Sequence, residues 1–173
     1  NAQAFYQHTL NVDKSENTRS DWFFRGSLMY ALKDYKGAVE NYLNMKVRRD
    51  SIGQIANYNM GYSYIKMKDK VSALNAFKDA STLGFDPMIA EDAMFNYAKL
   101  EYDINKNISV IEQYMQKYPA KDKADLIYGY MAVAALRERN YEAAVEAFDK
   151  IDELDVNMRQ NFMKSNYLRA NQL

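Results

Sequence analysis

The chain has 173 residues, of which 48% are apolar and 27% charged, with 23 basic and 23 acidic side chains in balance. It is too apolar for a disordered chain, and its zero net charge lacks the electrostatic footprint of a general nucleic-acid binder or a basic membrane-surface protein. It has no cysteine, which excludes disulfide frameworks, thiolate zinc sites and cysteine nucleophiles.

Six glycines and two prolines are too few for the turns of an all-β domain, and the abundance of Ala, Leu, Met, Lys and Glu points to helices. Residues 2–10, with Phe5, Tyr6 and Leu10, read as the second helix of a helical pair, followed by a polar loop over 11–18. Helices are predicted from Ser20 to Leu32 and from Tyr35 to Met45, then a small basic knot of Lys46, Arg48 and Arg49 in a solvated loop. Ser51 is the expected cap of a helix running to about Lys68, with a turn at Asp69-Lys70. The next helix carries Val71, Leu74, Ala76, Phe77 and Ala80 and ends near Gly84, expected in the left-handed region. Phe85-Asp86-Pro87 breaks the chain before helices at Met88–Asp103 and Asn107–Tyr118, with Asn107 as cap and Pro119 as stop. Further helices are predicted over Asp122–Arg137, Tyr141–Leu154 and residues 157–172.

Three landmarks recur through these elements. Small residues stand at Gly26, Gly61, Ala98 and Ala132, separated by 35, 37 and 34 positions. Ala38, Ala73, Val110 and Ala144 repeat those separations, and so do Tyr42, Phe77, Tyr114 and Phe148. One uneven spacing shared by three features marks a stacked array of two-helix units. Glycine inside a helix costs about 1 kcal/mol relative to alanine, so Gly26 and Gly61 require a packing reason. Close approach of the paired helix supplies one, and the aromatic landmarks are expected to fill the space between one unit and the next.

At these residues the sequence resembles the tetratricopeptide repeat (TPR) family. The matching positions are Trp22, Gly26, Ala38 and Tyr42; Gly61, Tyr64, Ala73, Phe77 and Ala80; Tyr97, Ala98 and Tyr114; and Tyr128, Ala132, Tyr141, Ala144 and Phe148. Arg25, Asn57, Glu101 and Val110 depart from the family pattern, and its late proline is out of register throughout. The resemblance implies an all-α, right-handed α-solenoid of helix–turn–helix repeats. It would form a single array over 1–173: a partial repeat at 1–18, repeats at about 19–53, 54–90, 91–124 and 125–156, and an extra helix at 157–173. Phrases such as Phe95-Asn96-Tyr97-Ala98-Lys99-Leu100 and Lys117-Tyr118-Pro119 look like repeat proteins of bacterial envelopes, so a periplasmic or outer-membrane-associated location is favoured over a cytoplasmic one. The start at Asn1 without a leader-like segment leads to the expectation of a piece of a longer chain.

Little in the sequence supports catalysis. The single histidine, His8, lies near the terminus, and the scattered glycines form no phosphate loop. Asp103-Ile104-Asn105-Lys106-Asn107 begins like a calcium loop, but Ile108 stands at the glycine position and Tyr114 at the closing glutamate. No cofactor or metal is expected.

The first helix of each pair carries a second stripe, spaced four then three, which keeps its members on one face. It comprises Phe23, Ser27 and Tyr30; Tyr58, Tyr62 and Ile65; Phe95, Lys99 and Tyr102; and Leu126, Tyr130, Val133 and Arg137. In the TPR family this stripe lines the concave side. The resemblance therefore implies a groove floored by Phe23, Tyr30, Tyr58, Tyr62, Phe95, Tyr102 and Tyr130, with Ser27, Lys66, Asp92, Lys99, Asp103 and Arg137 interspersed. The family's clamp for chaperone tails uses Lys and Asn where this chain has Phe23, Ser27, Ala31, Tyr58, Tyr62 and Lys66, so that ligand is not implied. The expected function is a non-catalytic protein-interaction scaffold holding a peptide or partner segment, with no nucleic acid and no membrane insertion. Tyr62→Ala is expected to weaken the partner while leaving thermal stability nearly intact. The alternatives are a glycan- or cell-wall-binding module, for which the single Trp22 is a poor platform, and an accessory region of a larger enzyme or regulator.

Overall fold

The computed structural model describes residues 17–119 and 123–171. The described residues form nine helices and no strand: α1 (Arg19–Ala31), α2 (Tyr35–Asn44), α3 (Ser51–Lys66), α4 (Lys70–Ser81), α5 (Pro87–Asn105), α6 (Ser109–Lys117), α7 (Ala124–Arg137), α8 (Tyr141–Phe148) and α9 (Val156–Ala170). The helix expected over residues 2–10 and the start at Asp122 lie outside the described residues. The chain divides into two compact units, one ending at Ile104 and the other beginning at Asn105.

Most of the helices start where a short polar side chain can accept an orphan backbone N–H; α7, which follows Lys123, has no such cap. Thr18 and Asp21 form a reciprocal capping box on α1. Asp34, Asp50, Asp69, Asn140 and Asp155 cap α2, α3, α4, α8 and α9 through the N–H three residues on. Asp50 thus holds the place expected for Ser51, because its carboxylate reaches the Gly53 N–H at 2.8 Å. Asn107 lies one residue further out than expected: its carboxamide accepts from the Ser109 N–H, while Ile108 occupies the cap position. Pro87 opens α5 rather than preceding it. A proline ring suits the first helical position, and Asp86 accepts from the Met88 and Ile89 N–H groups.

The turns between paired helices share one construction. Lys33, Lys68 and Arg139 have φ of 64°, 64° and 59°. The N–H that follows each of them donates back across the turn, Asp34 to Met29 O, Asp69 to Tyr64 O and Asn140 to Ala135 O, each at 2.9 Å. This closes the helix as a Schellman turn, and the same Asp or Asn caps the next helix. Gly84 is not left-handed, since no glycine among the described residues has positive φ; α4 ends earlier, with Thr82 at its cap.

In the first unit, α1 pairs with α2 and α3 with α4. All twelve landmark residues are buried. A Cβ on Gly26 would meet the Tyr42 ring at 2.7 Å, and one on Gly61 would meet the Phe77 ring at 2.7 Å. Tyr42 and Phe77 therefore each lie against the glycine of their own pair, rather than only between units as expected. Tyr42 also reaches outward: its hydroxyl donates to Ser27 Oγ at 3.2 Å and accepts from Asn59 at 2.9 Å, linking α1, α2 and α3. In the second unit α7 packs on α8 and α8 on α9, around Ala132, Ala147, Phe148 and Ile151.

A position near the start of the first helices fastens the following loop. Arg19 donates to Asp50 at 2.8 Å. Gln54, 35 residues later in the sequence, is fully buried; its amide donates to Leu83 O at 2.6 Å and Asp86 O at 3.1 Å and accepts from the Asp86 N–H at 2.8 Å. Asp125, at the same register in the second unit, accepts from the Asp152 and Glu153 N–H groups.

Candidate functional site

The stripe residues of the first unit lie on α1, α3 and α5. The four-residue spacing of Tyr58 and Tyr62 stacks the two rings on one face of α3; their centroids lie 5.0 Å apart at 82°. Tyr62 sits edge-on to Phe77 at 5.0 Å and 89°. Both hydroxyls converge on one oxygen of α5: Tyr58 donates to Asp92 Oδ2 at 2.9 Å and Tyr62 at 2.6 Å. Asn96, one turn beyond Asp92, donates to the same oxygen at 2.9 Å and to the Tyr62 hydroxyl at 3.1 Å. Hydrogen bonds to a carboxylate are among the stronger ones, so the two half-buried phenols are fixed by their tips while part of each ring stays in solvent.

Burial raises the affinity of both phenols for their protons. For Tyr58 the neighbouring Tyr62 hydroxyl and Asp92 add to it, so the phenol stays protonated far above the usual phenol range. For Tyr62, Asp92 raises it further, and Tyr58 and Asn96 partly oppose the shift. At neutral pH both are hydrogen-bond donors to a carboxylate, not bases or nucleophiles.

Tyr30 is half-buried and meets Tyr35 edge-on at 6.1 Å, and Phe23 lies 6.2 Å from Tyr42. Ser27 is engaged by the Tyr42 hydroxyl, and Lys66 is exposed at the end of α3. Phe95 and Tyr102, expected on an open floor, are only 8% and 6% exposed; the Lys99 ammonium lies 5.3 Å from the Phe95 ring centre. Asp103 pairs with Lys70 at 3.8 Å. In the second unit Tyr130 is half-buried and Arg137 exposed on α7.

No family model matches the chain, and no curated protein matches it. The structure therefore brings together Tyr58, Tyr62 and Asp92 of the expected residues and adds Asn96, which sequence reading did not select. Its signal was the four-residue step from Asp92, which places the two side chains on one helical face. Among the described residues, no group of three or more His, Asp or Glu side chains is placed to hold a metal ion. No helix of the described residues is long and apolar enough to cross a membrane.

Proposed function

We propose that the chain is a tetratricopeptide-like, right-handed array of helical pairs that serves as a non-catalytic scaffold, holding a peptide segment of a partner protein against its stripe of rings. A bacterial envelope location belongs to the same proposal. The observation that carries it is the pair Tyr58–Tyr62, partly solvent-facing yet locked through both hydroxyls onto Asp92. Rigid amphipathic rings give contact area at little entropic cost, which is what binding surfaces use. Trp22 does not offer the free face that sugar stacking needs: it packs on the core, and the Arg25 guanidinium stands 5.9 Å from its centre.

The test is selection of a random 16-residue displayed peptide library on the whole chain, followed by anisotropy titration of the recovered peptides. Tyr62→Ala is expected to weaken them on the order of 30-fold, corresponding to a hot spot of about 2 kcal/mol. The contacts of Tyr62 with Phe77 and Asp92 revise the expectation of unchanged stability; truncation lowers the melting temperature, so binding is measured well below it. Tyr62→Phe, which keeps the ring, retains most of the affinity. Recovery of no peptide, or equal affinity for wild type and Tyr62→Ala, refutes the reading.

A further inference from the structure

In the second unit, Val133, Leu136 and Arg137 follow the three-and-four spacing that sets them on one face of α7, and Asn161, Lys164 and Leu168 do the same on α9. The two helices meet where Gly129 admits Met158: a Cβ there would stand 2.9 Å from the Met158 methyl carbon. Further along both helices a cleft of about 370 Å³ opens, lined by those two faces and by Arg139 and Tyr141. Its apolar wall is Val133, Leu136 and Leu168. Its charged rim is Arg137, Arg139 and Lys164, all exposed, and no acidic residue among the described ones lines it. None of the three is in an ion pair among the described residues. Arg139 occupies the left-handed position of the α7–α8 turn, so its backbone is held in place.

Three like charges around an apolar wall, with Glu138 between Arg137 and Arg139 in the chain but not among the lining residues, form a site whose complement is an anion carried on an apolar segment. We propose that this cleft receives an Asp or Glu side chain of an extended partner peptide, with an adjacent bulky apolar side chain against Val133, Leu136 and Leu168. The guanidinium groups suit a carboxylate through paired N–H donors. The inference rests on the peptide-scaffold reading above, concerns the second unit by itself, and adds the chemistry of the partner segment held there.

The same displayed library, selected on the whole chain, tests it. The recovered peptides are expected to be enriched in Asp or Glu next to Leu, Ile, Met or Phe. Their affinity should fall about tenfold or more in an Arg137→Gln, Lys164→Gln double variant, and again when their own acids are changed to amides. Both substituted side chains are exposed, and an unchanged melting temperature verifies the fold. Arg137→Lys is expected to lose less than Arg137→Gln. Recovery of peptides without acidic enrichment, or with affinity indifferent to the double variant, overturns this inference and leaves the scaffold reading standing. Recovery of none overturns both. Heparin that binds as tightly as the peptides and displaces them also overturns it, in favour of an unselective anion site.

Discussion

At the scale of single residues, glycine separates positions with a packing duty from those without. The sequence reading placed Gly26 and Gly61 at close approaches because a mid-helix glycine needs a reason, and the rings of Tyr42 and Phe77 lying where a Cβ would go are that reason. Gly84 was misread. The left-handed region favours glycine, but lysine and arginine occupy it at the helix ends here, and Gly84 has open space around its missing Cβ. The two sites should respond oppositely to alanine. Gly61→Ala drives a methyl into a buried ring that has nowhere to go, and the overpacking outweighs the gain in helix propensity, for a net loss of about 1–3 kcal/mol. Gly84→Ala restricts the unfolded chain without strain and gains about 0.4–1 kcal/mol. Urea midpoints of the two variants, read at equal m-value, check both signs.

At the scale of helices and their joints, periodicity foretold which elements exist among the described residues but not what fastens them. α8 stops at Phe148, well short of the predicted Leu154, because the chain turns there toward Asp125. Gln54 gave no signal in the sequence. A lone glutamine on a helix normally faces solvent, and its partners are backbone groups 29 and 32 residues away that no side-chain pattern reveals. It is the buried tie between α3 and the loop leading into α5. Gln54→Leu keeps the bulk but leaves the Leu83 carbonyl and the Asp86 N–H without this partner, so about 2–4 kcal/mol of stability should be lost. Calorimetry checks that loss. A variant as stable as wild type would show that water or a shifted loop replaces the amide.

At the scale of the whole molecule, the uneven 35-37-34 repeat was legible because its small and aromatic members are all residues that the fold buries. The depth of the stripe was not legible: spacing tells which way a ring faces, and Tyr58 stays half-open while Phe95 and Tyr102 are buried. The phenols bear on stability at high pH. Tyr30, Tyr42, Tyr58, Tyr62 and Tyr64 all have folded-state values raised above 10, with burial as the leading cause. A group held protonated by the fold contributes stability that is complete below its unfolded value and is lost as pH rises beyond it. Stability should therefore hold on approach to pH 10 and decline above it. Tyr58→Phe, which has no phenolic proton to lose, should flatten that decline. Urea titrations at successive alkaline pH values give the two slopes, and equal slopes would count against Tyr58 as a contributor.

Arg19, Gln54 and Asp125 perform one task with three chemistries: a cation seeking a carboxylate, an amide that both gives and takes, and an anion seeking N–H groups. The first clasp needs an acidic side chain in its loop, and the other two need backbone groups turned toward the helix. Transplanting one of these helical pairs into another's place would strand a charge or an amide against the wrong loop, so the order of the modules is written into their fasteners as well as their linkers.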